Sequence, residues 1–294
     1  MDAITLRSTS LTASISLKGA EIKSLRTDRG IELIWCGDSV WWDYSAPFLF
    51  PVIGTVAAGT VQCKGEALVM PSHGIARISR FVVLELETDR VNLVLRANDL
   101  TRQHYPFDFV LRVEHRLQAN TLHTTVTLIN SGEETLPASF GFHPALRWPM
   151  TNRATEAHRL VFEKIEQAKL KIVNSNGQLE QTDAALSLKS RELMLTNSLF
   201  TMGALVLDPA QSRTLKLADD LGPLISMRWT GCNQLGLWTK PGAPFICIEP
   251  WAGYPTPVNW TGPLEEKPGS FQLKPAASQC FSMAIDCASV VDRG

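Results

Sequence analysis

Three short segments hold side chains that can exchange protons near neutral pH. Pro71-Ser72-His73-Gly74-Ile75-Ala76-Arg77 places His73 in a turn between two strand-like stretches, where loops present functional groups. Gly74 beside it permits unusual backbone angles or close approach of a ligand. Ser139-Phe140-Gly141-Phe142-His143-Pro144 reads as a strand with Ser139, Gly141 and His143 on one face. Gly141 then leaves space beside an imidazole, a group suited to general acid–base work. Phe245-Ile246-Cys247-Ile248-Glu249-Pro250-Trp251 is an almost wholly apolar strand followed by a carboxylate, with Phe245, Cys247 and Glu249 on one face. Burial disfavours a charged carboxylate and lifts its pKa towards the range of a general base. Trp251 offers a flat apolar face to a ring-shaped ligand. Each feature also has a plainer reading: a capping loop histidine, a hydrogen-bonded strand-end histidine, a structural ion pair with an arginine, and a core indole.

The elements that must position these groups are strands. Phe107, Phe109, Leu111, Val113 and Leu117 alternate with mostly polar neighbours, the period of a strand with one dry face. After a polar break at Gln118-Ala119-Asn120, Leu122, Val126 and Leu128 alternate with His123, Thr125 and Thr127, so the two runs read as an antiparallel hairpin. Asn130-Ser131-Gly132-Glu133-Glu134 is the next turn, before a strand from Leu136 to Phe142. Similar runs recur at Ala13–Leu17, Phe81–Leu86, Val91–Arg96, Arg159–Phe162, Ala204–Leu207, Leu224–Trp229 and Phe245–Ile248. Helical spacing is rare. The pattern predicts an all-β fold, a large antiparallel sandwich or barrel, in one domain over 1–294. The stretch from Thr151 to Thr196 is the least readable, and Asn174-Ser175-Asn176-Gly177 looks like a simple surface turn.

Composition narrows the function. The chain has 294 residues, 45% of them hydrophobic and 19% charged, enough for a sizeable core. A net charge of −1 with no basic run gives no bulk attraction for nucleic acid or an anionic membrane. The N-terminus lacks a signal-peptide pattern, and no apolar run is long enough to span a bilayer. Six scattered cysteines without a Cys-x-x-Cys pair indicate neither a zinc site nor a disulfide framework, and the histidines lack metal-ligand spacing. The expectation is a cytoplasmic protein without a metal.

Read in order, the segments resemble the aldose 1-epimerase (galactose mutarotase-like) family, in its compact bacterial branch. The resemblance runs nearly end to end: Gly19-Ala20-Glu21-Ile22-Lys23-Ser24-Leu25, Glu32-Leu33-Ile34-Trp35, Ala46-Pro47-Phe48-Leu49-Phe50-Pro51-Val52-Ile53-Gly54, His73-Gly74-Ile75-Ala76-Arg77, Tyr105-Pro106-Phe107-Asp108-Phe109, Gly141-Phe142-His143-Pro144-Ala145, Leu235-Gly236-Leu237-Trp238-Thr239-Lys240-Pro241 and Ile248-Glu249-Pro250-Trp251. The resemblance implies a galactose mutarotase-like β-supersandwich that interconverts the α and β anomers of a free monosaccharide without a cofactor. By the family pattern Glu249 is the base, His143 the acid, and His73 a residue that hydrogen-bonds near the ring oxygen and steadies the developing charge. Thr55 stands where many relatives have an arginine, and Gly203 where they tend to have an aspartate; Asp208 is near but out of register. The two departures imply altered substrate choice or weak catalysis, with Arg77 a partial replacement for the lost contact. Two alternatives keep the fold: a catalytically silent sugar-binding protein, or an epimerase of a phosphorylated hexose using Arg77 and Arg80.

Overall fold

The computed structural model describes residues 2–150 and 157–293. The alternation that marks Phe109–Gln118 and Thr121–Asn130 becomes an antiparallel hairpin, with Leu111 opposite Leu128, Val113 opposite Val126 and Leu117 opposite Leu122. All of these apolar side chains are buried, because strand period two puts them on one face. A two-residue loop joins the strands, and Ala119 in it adopts φ 50°.

This hairpin belongs to a 15-stranded sheet. One half runs from Phe48–Leu49 through Phe140–Phe142, Phe245–Ala252, Gln234–Trp238 and Ala204–Leu207. The other runs through Thr214–Asp219, Gly222–Thr230, Ser278–Asp286, Thr121–Asn130, Phe109–Gln118 and Arg90–Arg96 to the edge strand Val82–Leu86. A single long strand, Arg159–Val173, joins the halves: Arg159–Phe162 pairs with Thr214–Asp219, and Lys171–Val173 pairs with Ala204–Leu207. Its pairing with Leu179–Met194 shifts register three times, so the ladder is irregular where the strand passes between halves. The halves then face each other. Phe140 stacks on Phe281 at 4.4 Å, and Phe48 on His115 at 6.0 Å. This closure gives the expected antiparallel sandwich, with the core between its layers. A smaller sheet of Ala3–Arg7, Leu11–Ser16 and Ile22–Thr27 lies against Phe109–Gln118.

Two polar groups are built into this core. The His115 ring has Nδ1 at 2.9 Å from Thr124 Oγ1 and Nε2 at 2.8 Å from the carbonyl of Ala20. Glu166 is fully buried and accepts the backbone N–H groups of Gln211 and Ser212 at 2.9 and 2.7 Å.

The structure departs from the sequence reading in several places. The strand expected from Leu136 to Phe142 breaks at Ser139, whose N–H turns to Pro51 O; Leu136–Ala138 pairs instead with Phe271–Leu273. The strand expected over Phe245–Ile248 continues to Ala252 and carries Glu249 within it. The stretch that resisted reading, apart from 151–156, which lie outside the described residues, is the long hairpin Arg159–Val173 and Leu179–Met194. The tail forms a short helix, Ala288–Arg293, with Val290 buried. Among the described residues no helix is long and apolar enough to cross a membrane.

Candidate active site

His143 follows the short strand Phe140–Phe142, which pairs with Phe245–Ala252 through Phe140↔Ala252 and Gly141↔Trp251. That pairing brings the imidazole beside Glu249. His143 Nε2 lies 3.1 Å from Glu249 Oε2, and both side chains are almost wholly enclosed. The contact is not aligned as a hydrogen bond. Among the described residues Glu249 Oε2, His143 Nδ1 and Trp251 Nε1 are buried without a hydrogen-bond partner. Three such atoms in one place are costly unless a polar ligand meets them.

Burial sets the protonation of the pair. It pushes the Glu249 carboxyl well above its usual range, and the neighbouring Trp251 indole acts in the opposite, weaker sense. It pushes His143 down to about 3, and Arg77 adds to the effect. The unliganded pair therefore favours a protonated carboxyl beside a neutral imidazole.

His73 approaches from the other side. Its loop is stitched to the segment after Phe48–Leu49: Phe50 N–H donates to His73 O at 3.2 Å, His73 N–H to Gly54 O at 2.6 Å, and Ile75 N–H to Phe50 O at 2.7 Å. His73 sits at φ 60°, a conformation uncommon for a residue with a Cβ. Gly54 N–H donates to His73 Nδ1 at 3.1 Å. Burial, then His143 and Arg77, holds His73 well below its ordinary pKa. The ring is thus neutral with its proton on Nε2, a defined donor. It meets His143 edge to face at 5.5 Å.

These groups open onto one cleft of about 780 Å³. His73, His143, Glu249, Arg77, Thr55 and Trp251, read separately from the sequence, all line it, as does Gly203. Arg77 lies over the Tyr44 ring at 4.6 Å, and burial lowers its pKa. Thr55 donates to Ser72 Oγ at 3.1 Å and its N–H to Gly177 O at 2.9 Å. Trp251 is 2% exposed, less a platform than a packed wall. Its indole covers Gly141 and Gly236, where a Cβ would stand 2.6 and 2.5 Å from the ring. At Gly203, φ is 119° and a Cβ would lie 2.0 Å from Val173 O, so the backbone itself rejects an aspartate there.

Other expectations are corrected. Arg80 does not join Arg77 at the cleft; it is paired on the surface with Asp2 at 2.7 Å, because the chain has turned outward by that point. Asp208 is held by Lys171 at 2.7 Å and Gln234 at 2.9 Å and does not line the cleft. Asn174-Ser175-Asn176-Gly177 is no simple surface turn: it is the tip of the long hairpin and forms one wall of the cleft. Sequence reasoning also missed Trp41, Trp42, Trp238 and Lys240, which line the cleft. The signal available was three tryptophans within eight residues, at 35, 41 and 42.

His143, Cys247 and Glu249 offer three atoms within 4.8 Å of one another. Burial keeps the Cys247 thiol and the Glu249 carboxyl protonated, whereas a metal needs both deprotonated.

A large antiparallel sandwich with a cleft over a buried His–Glu pair defines a protein of the galactose mutarotase-like class. The sequence profile of the aldose 1-epimerase family matches residues 2–278, and the chain belongs to that family. It is similar to Protein LacX of Lactococcus lactis subsp. lactis, 28% identical over 283 residues, covering 92% of this chain and 95% of that one. Its structure is similar to that of a galactose mutarotase related enzyme from Lactobacillus acidophilus, at 25% identity and TM-score 0.89, covering 97% and 96% of the two chains. A galactose mutarotase-like protein from Lactobacillus casei ATCC 334 aligns with TM-score 0.87 at 25% identity, covering 97% and 99%.

Proposed function

We propose that this protein is an aldose 1-epimerase acting on a free monosaccharide, with Glu249 and His143 as its proton-transfer pair. The observation that carries the reading is their 3.1 Å approach, buried at the floor of the cleft. Ring opening of a pyranose needs a base at the anomeric hydroxyl and an acid at the ring oxygen. Glu249, as carboxylate, takes the O1 proton. The C1–O5 bond breaks as C1=O1 forms, and His143, as imidazolium, delivers its proton to O5. Rotation about C1–C2 presents the other face of the aldehyde, and closure returns both protons in reverse. One proton thus resides on the pair throughout. Ring opening leaves it on Glu249 with His143 neutral, the arrangement that burial favours. Sugar hydroxyls entering the cleft supply partners to the enclosed polar atoms and so support the ionic form that starts the cycle. His73 Nε2–H is a fixed donor for the ring-oxygen side.

Polarimetry of freshly dissolved α-glucose and α-galactose tests the reading. Wild type should accelerate the approach to equilibrium, and His143→Ala and Glu249→Gln should each lower the rate by about a hundredfold or more. No acceleration of any free aldose by wild type would move the weight to a sugar-binding role, with Thr55 and Gly203 as the altered contacts.

A further inference from the structure

The imidazole of His143 is held by more than its own strand. A strap from Asp38 to Tyr44 crosses the cleft wall. Backbone bonds from Trp41 and Trp42 to Asp38 O, at 2.9 and 2.7 Å, give it shape. Trp35 Nε1–H donates to Trp42 O at 2.9 Å and ties it to the sheet. The Trp42 indole lies nearly parallel to the imidazole of His143, with centroids 4.8 Å apart and planes at 29°. Phe245, stacked at 5.7 Å, and the edge contact with Trp238 at 5.5 Å fix the indole in turn. Two residues on, Tyr44 supports the Arg77 guanidinium.

An imidazole that relays a proton is cationic for part of each cycle. Enclosure strips it of water, and Arg77 opposes its charge. His73 is neutral, and the Cys247 thiol keeps its proton. Among the described residues Glu249 is the one anionic neighbour, and the imidazolium persists only while Glu249 is a carboxylate. Beside Glu249, the negative π face of the stacked Trp42 indole favours the cation, while Trp238 meets the imidazole edge to face at 6.0 Å. We propose that Trp42 is a positioning residue for His143: its indole face fixes the plane of the imidazole towards Glu249 and stabilises the imidazolium during proton relay. The inference rests on the acid–base reading above and adds a residue to it. It also predicts that the stacked face of Trp42 is occupied by histidine and does not serve as a sugar platform.

Trp42→Leu and Trp42→Phe separate these roles. Trp42 is half-buried on a strap, so both variants are compatible with the fold. Trp42→Leu should lower kcat by about 3- to 30-fold with KM changed less than about twofold, and Trp42→Phe, which keeps a smaller π face, should lose less. Loss confined to KM would make Trp42 a substrate platform and overturn the proposal, as would an unchanged kcat in Trp42→Leu. NMR of histidine-labelled protein supplies a second, activity-independent reading. In wild type the His143 Hε1 signal should be displaced upfield by the indole ring current, and in Trp42→Leu it should return downfield. Glu249, Cys247, His73 and Arg77 are the same residues in both variants, and a Trp238→Leu control separates the share of Trp238, which meets the imidazole at 6.0 Å, from that of Trp42. An undisplaced His143 signal in wild type overturns the positioning claim whatever the kinetics. A displaced signal in a protein without mutarotase activity instead places the failure in the acid–base reading and leaves the stacking contact standing.

Discussion

Acid should destabilise this fold through His115, a core residue that does not line the cleft. Its ring is fully buried and stacked on Phe48, with a carbonyl at Nε2 and a threonine hydroxyl at Nδ1. The carbonyl of Ala20 can only accept, so Nε2 carries the proton and Nδ1 accepts from Thr124. Burial lowers the pKa from 6.5 to about 4, and the Ala20 carbonyl opposes the shift in part. The unfolded chain takes up a proton as pH falls through 6.5, while the folded protein resists until about 4. The stabilisation is therefore complete above 6.5 and is lost across the interval down to 4. Linkage over that interval gives a loss of about 2 kcal/mol between pH 7 and pH 4.5 from this single residue. Urea unfolding of wild type and His115→Gln at both pH values measures it. The variant is less stable at neutral pH, but its further loss on acidification should be smaller than that of wild type by about 2 kcal/mol, since all other titrating groups are common to both. Equal losses in the two proteins would refute the assignment of a neutral, enclosed His115.

Two glycines by the cleft give sharper steric tests. Gly236→Ala would drive a methyl to 2.5 Å from the Trp251 ring, opposite Glu249 in the ladder. It should cost about 1–3 kcal/mol in stability and lower kcat more than it raises KM; an unperturbed kcat would mean that Trp251 does not fix Glu249. Gly203→Asp, which introduces the residue that the family resemblance implies there, should destabilise by about 2–4 kcal/mol in a urea melt, because φ 119° and the Val173 carbonyl both reject a Cβ. Unchanged stability there would show that the loop has room to shift.

Much of the sandwich was legible because its strands obey one period. Phe109–Gln118 and Thr121–Asn130 alternate without interruption, and their register follows from the pattern. The long hairpin was illegible for the opposite reason. Between Phe162 and Leu170 stand the charged residues Glu163, Lys164 and Glu166, which interrupt the alternation, yet Glu166 is buried against two backbone N–H groups. Polarity in sequence says nothing about a carboxylate whose partners lie 45 residues on. The residues of the cleft were individually visible, since His73, His143 and Glu249 are ionisable groups beside glycine or within apolar runs. Trp42 was not, because its contact with His143 depends on a strap whose path no local pattern specifies. Gly203 was noticed as a missing aspartate; that the backbone requires a glycine there became evident only with the neighbouring Val173 carbonyl in place.

The hairpin of Arg159–Val173 and Leu179–Met194 acts as a ruler. Its first strand joins the two halves of the sandwich, pairing with one at its base through Arg159–Phe162 and with the other near its tip through Lys171–Val173, and at the tip Gly177 O receives the N–H of Thr55 at 2.9 Å on the cleft wall. Strand length thus fixes where the wall stands. Two residues added to each arm would carry the tip about 7 Å past Gly54, across the mouth of the cleft, and two removed would leave that side open. Within this architecture the width of the cleft mouth can evolve by changing the length of one hairpin, with the floor of His143 and Glu249 left where it is.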